Sequence, residues 1–266
     1  MSRIEQAIQK AARLREEKEE SHPIPERSER SQDREQLLRV EAIPITSPYL
    51  VAANGHAAAE EYRKLKSLVV SLNRRERTVR TLAVTSAVTE EGKSITSLNL
   101  AIALAQDYDH TVLLVDADLR RPSLHRYLGL KPEVGLVQCL KEGTALSKAL
   151  IKTGLGKLVL LPAGGTVADP VELFASARMK ELVREMKDRY PDRYVIFDTP
   201  PALPFADAQV LAPVLDGVIF VVREGHARPQ QVKEALAGLK DANLLGVVFN
   251  DVSSGPGKGS YYYNYR

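Results

Sequence analysis

From residue 79 onward the apolar residues fall in short, nearly continuous runs: 80–87 (RTLAVTSA), 110–117 (HTVLLVDA), 157–164 (KLVLLPAG), 193–199 (RYVIFDT), 217–224 (GVIFVVRE) and 243–250 (NLLGVVFN). Each has strand length and is rich in aliphatic residues. Between them, 93–107, 177–189, 206–213 and 229–241 read as helices. Strands that are apolar on both faces and alternate with helices predict an α/β fold, a mostly parallel sheet covered by helices on both sides. Ligands of such sheets bind beyond the carboxyl ends of the strands.

The pattern before residue 79 differs. Residues 1–18 read as an amphipathic helix, with Ser2 and Glu5 as a capping box and Ile4, Ala7, Ile8, Ala11 and Leu14 at helical spacing. Residues 19–45 are charged, contain prolines and lack aromatics, the profile of a linker. The last residues, 253–266, combine glycines with Tyr261, Tyr262, Tyr263 and Tyr265, four of the ten tyrosines in the chain. The expected organisation is therefore an N-terminal helix and linker (1–45), a nucleotide-binding domain (46–252) and a flexible tyrosine-rich tail (253–266).

Composition narrows the function classes. A net charge of +3, with basic and acidic residues interspersed, does not call for nucleic acid. One cysteine, Cys139, leaves no internal disulfide and no cysteine-built metal cluster. No segment has the apolar core of a signal peptide or of a membrane span, so the expectation is a cytoplasmic protein, brought to a membrane only by a partner.

The chemistry is concentrated at strand ends. The first strand runs into "AVTEEGKS", residues 87–94, followed by a helix. Gly-Lys-Ser between a strand and a helix is the context of a phosphate-binding loop: backbone N–H groups cradle phosphates, Lys93 reaches the β- and γ-phosphates and the Ser94 hydroxyl ligates Mg²⁺. Ala87 stands where the first glycine is usual, and Thr89-Glu90-Glu91 occupies positions that are normally small. A positive φ at Glu90 would cost on the order of 1 kcal/mol. Asp116 and Asp118 end the second strand on the same side, and Asp198 ends the fourth. Beside a phosphate loop, three such carboxylates read as a metal and proton-transfer site; the competing role is capping of the helix that follows.

These motifs, in this order, resemble the cytoplasmic kinase domain of the bacterial tyrosine autokinases (BY-kinases) of capsule and exopolysaccharide assembly, over roughly residues 55–266. "AVTEEGKS" stands at that family's Walker A motif, where Pro-Gly usually precedes the second half; "VLLVDADLRRP" matches its second acidic motif and "YVIFDTPP" its Walker B motif. "ADPVELFAS" resembles the family's Asn-Pro-x-Glu-Leu-Leu-x-Ser, with Asp169 for asparagine. "EEYRKLKSLV", near 58–70, resembles its Glu-x-x-Arg-x-x-Arg oligomerisation helix, with Glu60, Arg63 and Lys66 on the motif positions. The first fifteen residues are similar to those of kinases encoded with exosortase-linked systems.

The resemblance implies a P-loop fold and an ATP-dependent protein tyrosine autokinase. ATP would be held by Glu91, Gly92, Lys93, Ser94, Ile95 and, at the adenine, Asn250; Mg²⁺ by Ser94, Asp116 and Asp198; and Asp118 would orient or deprotonate the acceptor. Tyr261, Tyr262, Tyr263 and Tyr265 would be phosphorylated in trans within a homo-oligomeric ring. Implied partners are a membrane polysaccharide co-polymerase that recruits the kinase to the inner face of the plasma membrane and a cognate phosphotyrosine phosphatase. Two alternatives remain at this level. One is a septum-positioning or partition ATPase, which would carry a lysine at the place of Val88; the other is a nucleotide-binding adaptor without kinase activity.

Overall fold

A computed structural model of the chain describes residues 39–40, 47–53, 58–76, 79–107, 109–188 and 192–252. These lie within one compact unit, Leu38–Arg266. The helix expected at 1–18, nearly all of the linker, the boundary at 45/46 and the tyrosine tail lie outside the described residues.

The chain begins with β1 (Arg39–Val40), α1 (Ala59–Glu76), β2 (Thr81–Ser86), α2 (Lys93–Ala105) and β3 (Thr111–Asp116). Three short helices follow, α3 (Leu124–Tyr127), α4 (Leu136–Lys141) and α5 (Leu146–Ala149), then β4 (Ile151–Lys152) and β5 (Leu158–Leu161). The remainder is α6 (Val171–Ala175), α7 (Ala177–Asp188), β6 (Arg193–Asp198), α8 (Asp207–Leu211), β7 (Gly217–Arg223), α9 (Pro229–Gly238) and β8 (Leu244–Asn250). All six strands expected from the apolar runs form. The two-residue strands β1 and β4 do not show in the pattern, because two residues carry no period.

The eight strands pair in the order β1-β4-β5-β3-β6-β2-β7-β8. Every neighbouring pair is parallel except β4 and β5. Strand alternation splits the core into two layers. Leu82, Val84, Val112, Leu114 and Ile196 face α2, whose Leu98, Leu100 and Leu104 are fully buried, and Val69 of α1 joins that layer. Ala83, Leu113, Val115, Val195 and Phe197 face the other way, onto Met179, Leu182 and Met186 of α7 and Leu211 of α8. The fold is therefore the expected one, a P-loop α/β sandwich.

Two arrangements set up the site. Asn99, buried on α2, accepts the Ala52 N–H (2.8 Å) and donates to the carbonyls of Tyr49 and Ile95 (2.9 Å each), which pins residues 47–53 beside the middle of α2. At the far edge β8 is open: Leu244, Val247 and Phe249 are 43%, 53% and 57% exposed, so an apolar run that reads as an interior strand is an edge strand.

Candidate active site

The β2 strand is buried along its whole length and delivers the chain to residues 87–92, which turn into α2. Two residues of the turn are left-handed, Glu90 (φ 62°) and Gly92 (φ 86°). Glycine takes this conformation freely; for Glu90 it costs about 1–2 kcal/mol, the strain anticipated from the sequence. Side chains from distant elements hold the turn in place. Glu91 is fully buried and its Oε2 accepts the Val88 N–H at 2.9 Å. Asn250, at the end of β8, donates its Nδ2–H to the Glu91 carbonyl at 3.0 Å, and its carboxamide occupies the space a Cβ on Gly92 would need. The His226 Nε2 lies 2.9 Å from the Thr89 carbonyl. Asn250, the residue expected at the adenine, thus acts on the loop backbone and also lines a cavity beside the loop.

The α2 amino end is left open. Thr96 N–H closes the first turn on the Gly92 carbonyl at 2.9 Å, and no side chain caps the helix. The N–H groups of Lys93, Ser94 and Ile95 have no acceptor within the helix and, with its dipole, favour an anion.

Facing this end are the three strand-end carboxylates. Register pairs Asp116 of β3 with Asp198 of β6, and both are 0% exposed. Asp116 Oδ2 accepts the N–H groups of Ser123 and Leu124 (3.1 Å each), so half of this carboxylate does cap α3; its Oδ1 has no hydrogen-bond partner. Neither oxygen of Asp198 has one. The Ser94 and Ser97 hydroxyls are near enough to ease its ionisation, but Ser97 directs its own proton to the Lys93 and Ser94 carbonyls. Burial, and for Asp116 also the charge of Asp198, pushes both carboxyl pKa values up, for Asp116 far above the usual range. Asp118 differs: its Oδ2 pairs with the Lys93 ammonium at 2.9 Å and its Oδ1 accepts the Arg121 N–H at 3.0 Å. Burial opposes the Lys93 charge, yet Asp198, Asp118 and Asp116 outweigh it and raise its pKa.

Three buried acceptor oxygens without donors, close to a serine hydroxyl and a lysine, fit a hydrated divalent cation. Among the described residues no three His, Cys, Asp or Glu side chains form a cage of their own. That suits Mg²⁺, which is held by few protein ligands, phosphate oxygens and water.

Two cavities flank the loop. One, about 970 Å³, lies between α1 and β8 and includes Tyr62, Leu65, Glu90, Gly92, Phe249 and Asn250 in its lining. The other, about 470 Å³, holds Lys93, Ser94, Asp118, Arg121, Arg126 and Phe205. Arg120, at the edge of the second, is committed to the fold. It makes a two-pronged pair with buried Asp207 (2.6 and 3.0 Å), donates to the Ala168 carbonyl, pairs with Asp169 at 3.3 Å and lies over the Phe205 ring.

The expected oligomerisation residues lie on α1. Glu60 and Arg63 are exposed and pair with each other at 2.5 Å, while Lys66 reaches Asp107 at 3.5 Å. The structure brings together Lys93, Ser94, Asp116, Asp118 and Asp198, with Glu91, Gly92, Ile95 and Asn250 around the same loop; the tail tyrosines lie outside the described residues. Sequence reasoning missed the loop clamp by the Glu91 side chain and His226, and the anchoring of Arg120 by Asp207. Glu91 lies only three residues from its partner, but His226 and Asp207 are 137 and 87 residues from theirs, where no local pattern reaches.

Comparison with known proteins agrees with this geometry. Residues 82–262 match the family described as the CobQ/CobB/MinD/ParA nucleotide binding domain. The tyrosine-protein kinase YwqD of Bacillus subtilis is 38% identical over 195 residues, 72% of this chain and 80% of that protein. The succinoglycan biosynthesis transport protein ExoP of Rhizobium meliloti is 37% identical over 177 residues, 64% of this chain but 22% of its own length. Among solved structures, the kinase domain of the Escherichia coli tyrosine kinase ETK superposes with a TM-score of 0.69 at 30% identity, covering 82% of this chain and 85% of that one. Cobyrinic acid a,c-diamide synthase from Mycobacterium smegmatis, solved with an ATP analogue and magnesium, has a TM-score of 0.54 at 25% identity, covering 65% of this chain and 75% of that one.

Proposed function

The chain belongs to the bacterial tyrosine-protein kinase family, within the CobQ/CobB/MinD/ParA nucleotide-binding domains, and from that premise we propose that it transfers the γ-phosphoryl group of ATP to tyrosines of its own tail. The observation that carries the reading is the Lys93–Asp118 pair, part-buried at the open end of α2 and beside the partnerless oxygens of Asp198. ATP phosphates entering at the α2 N–H groups give Lys93 new anionic partners, and Asp118 is released to face the acceptor. A phenol of pKa near 10 needs a base. The phenol proton passes to the Asp118 carboxylate, the tyrosine oxygen bonds to the γ-phosphorus, and the bond from that phosphorus to the bridging oxygen breaks with ADP leaving. Positioning and charge neutralisation do most of the work in such transfers. Ser94, Asp198 and Asp116 would hold Mg²⁺, which would supply charge neutralisation at the phosphates.

The acceptors are Tyr261, Tyr262, Tyr263 and Tyr265, which follow a glycine-bearing stretch and are presented to a neighbouring subunit. Glu60, Arg63 and Lys66 join the subunits of a ring; their pairings in the single chain are exposed or long and are readily exchanged for pairings between copies. The resemblance to the succinoglycan biosynthesis transport protein ExoP supports a role in exopolysaccharide assembly; the reading adds a membrane co-polymerase as recruiting partner and a phosphotyrosine phosphatase as the opposing enzyme. Among the described residues no helix is long and apolar enough to cross a membrane.

The test is incubation with Mg·ATP and mapping of phosphotyrosine by mass spectrometry. Phosphate is expected on the tail of the wild type and absent from Lys93→Met. A wild type that stays unlabelled even with its activator, or a Lys93→Met variant labelled as strongly as wild type, would refute the assignment.

A further inference from the structure

The 470 Å³ cleft around Lys93 and Asp118 carries more positive charge than the transfer itself uses. Of its cations, Lys93 is paired with Asp118, and Arg120 with Asp207 and Asp169. Arg121 and Arg126 also line it, both exposed, and neither makes an ion pair with a carboxylate among the described residues. Tyr127, Pro201, Pro204 and Phe205 line the same cleft, and Glu90 is the carboxylate in the lining besides Asp118. Aromatic and proline surfaces accept phenol rings, while arginine suits phosphate, which it can bind through two parallel N–H donors.

The tail presents matching chemistry at a fixed repeat. Tyr261, Tyr263 and Tyr265 are spaced two apart. In an extended bound peptide, residues two apart lie on one side about 7 Å from each other. When one of these tyrosines is presented to Asp118, the next is presented further along the same cleft. Unmodified, that neighbour offers ring contact alone. Once phosphorylated it adds roughly −1.5 to −2 charge and three acceptor oxygens.

The geometry points to a second acceptor subsite: Arg121 and Arg126 bind a phosphotyrosine already formed two residues from the tyrosine being modified, so each phosphorylation of the tail favours the next. This rests on the reading that the cleft takes tail tyrosines, and it adds an order to their modification. The tail contains two such pairs, Tyr261 with Tyr263 and Tyr263 with Tyr265. The substrate preferred after the first turnover is therefore a partly phosphorylated tail.

The experiment uses the full chain with Tyr261→Phe, Tyr262→Phe, Tyr263→Phe and Tyr265→Phe, saturated with Mg·ADP, so that its own tail carries no phosphate. Fluorescently labelled peptides of sequence GSYYYNYR, either unmodified or phosphorylated at the tyrosine matching Tyr263, are titrated by anisotropy. The phosphopeptide is expected to bind about fivefold more tightly than the unmodified one. Adding Arg121→Ala and Arg126→Ala to the same chain brings the ratio close to one, and Arg121→Lys with Arg126→Lys gives an intermediate value. Equal affinity of the two peptides for the chain with both arginines, or a ratio that survives loss of both, overturns the subsite. The ratio is read without catalysis, so it stands or falls separately from the labelling experiment that tests the kinase reading.

Discussion

Replacing Glu90 by glycine relaxes the phosphate loop and tightens nucleotide binding through two separable effects. The first is conformational. Glu90 holds φ at 62°, a left-handed backbone that disfavours a Cβ by about 1–2 kcal/mol. Glycine removes that strain but gains freedom in the unfolded chain, which offsets roughly 0.5–1 kcal/mol. Glu90→Gly should therefore leave stability unchanged or raise it by up to about 1.5 kcal/mol. The second effect is electrostatic. Glu90 lines both cavities that meet at the loop. At a separation of about 10 Å through a water-like dielectric, two unit charges interact by roughly 0.4 kcal/mol, so an Mg·ATP of about two net negative charges is repelled by roughly 0.8 kcal/mol. Removing the carboxylate then tightens Mg·ATP about fourfold.

Two further substitutions separate the terms. Glu90→Gln removes the charge and keeps the Cβ, so it shows the affinity gain alone; Glu90→Ala removes the charge and keeps the strain, so it shows no gain in stability. Stability is measured by urea denaturation, and affinity with a fluorescent ATP analogue at low and at high salt, where the charge effect shrinks with screening. A loss of more than about 1 kcal/mol in Glu90→Gly would mean that the glutamate is held by contacts outweighing its backbone strain. Unchanged affinity in Glu90→Gln at low salt would refute the electrostatic step.

Substitutions at three other residues probe the surroundings. Asp116→Asn keeps an oxygen for the Ser123 and Leu124 N–H groups and ends the repulsion with Asp198, so helix α3 stays capped while tail labelling falls; Asp116→Ala also loses the cap, at about 1 kcal/mol in urea denaturation. Because the folded pKa of Asp116 is raised, its contribution is present below the unfolded value near 3.9 and is lost as pH rises; wild type should lose stability relative to Asp116→Asn as pH rises above about 4. Arg120→Ala leaves buried Asp207 unpaired and should cost about 3 kcal/mol, seen as a lower urea midpoint; a loss below about 1 kcal/mol would contradict the structural role of that clamp. Asp216 is depressed, since Lys187 and the Arg80 and Thr81 N–H groups outweigh its burial, so its contribution is present above the unfolded value and lost as pH falls through the folded one. Asp216→Asn should therefore be less stable than wild type by about 2 kcal/mol at pH 7, with the gap closing below about pH 4.

What the sequence discloses is what is contiguous. Strands β2, β3, β6 and β7 stand out as apolar runs because each is buried on both faces, and the loop at 87–94 is legible because strand, Gly-Lys-Ser and helix follow one another directly. Asp116 and Asp198 are legible as strand ends, but their register opposite each other is a property of the sheet. The clamps on the loop are hidden for the same reason. Asn250 reaches Glu91 across 159 residues and His226 reaches Thr89 across 137, and both become neighbours only because β7 and β8 are added beside β2 in the sheet order. The exposure of β8 is hidden too, since an apolar run reads alike at an edge and in the interior.

That register argues for a ligand more strongly than the loop does. Two fully buried carboxylates on adjacent strands repel each other, and burial raises the cost of ionising either. The cation nearest to them, Lys93, donates its hydrogen bond to Asp118, leaving both Asp198 oxygens and Asp116 Oδ1 with no donor. A fold selected only for stability would place apolar side chains at these strand ends, as it does at most other positions along β3 and β6. Among the described residues no donor reaches these three oxygens, and a divalent cation accompanying a nucleotide at the open end of α2 would balance them. On this argument Mg·ATP stabilises wild type against urea but has a smaller effect on Asp198→Asn. Equal stabilisation of the two proteins, read as the shift in urea midpoint at saturating Mg·ATP, would remove the cation from this position.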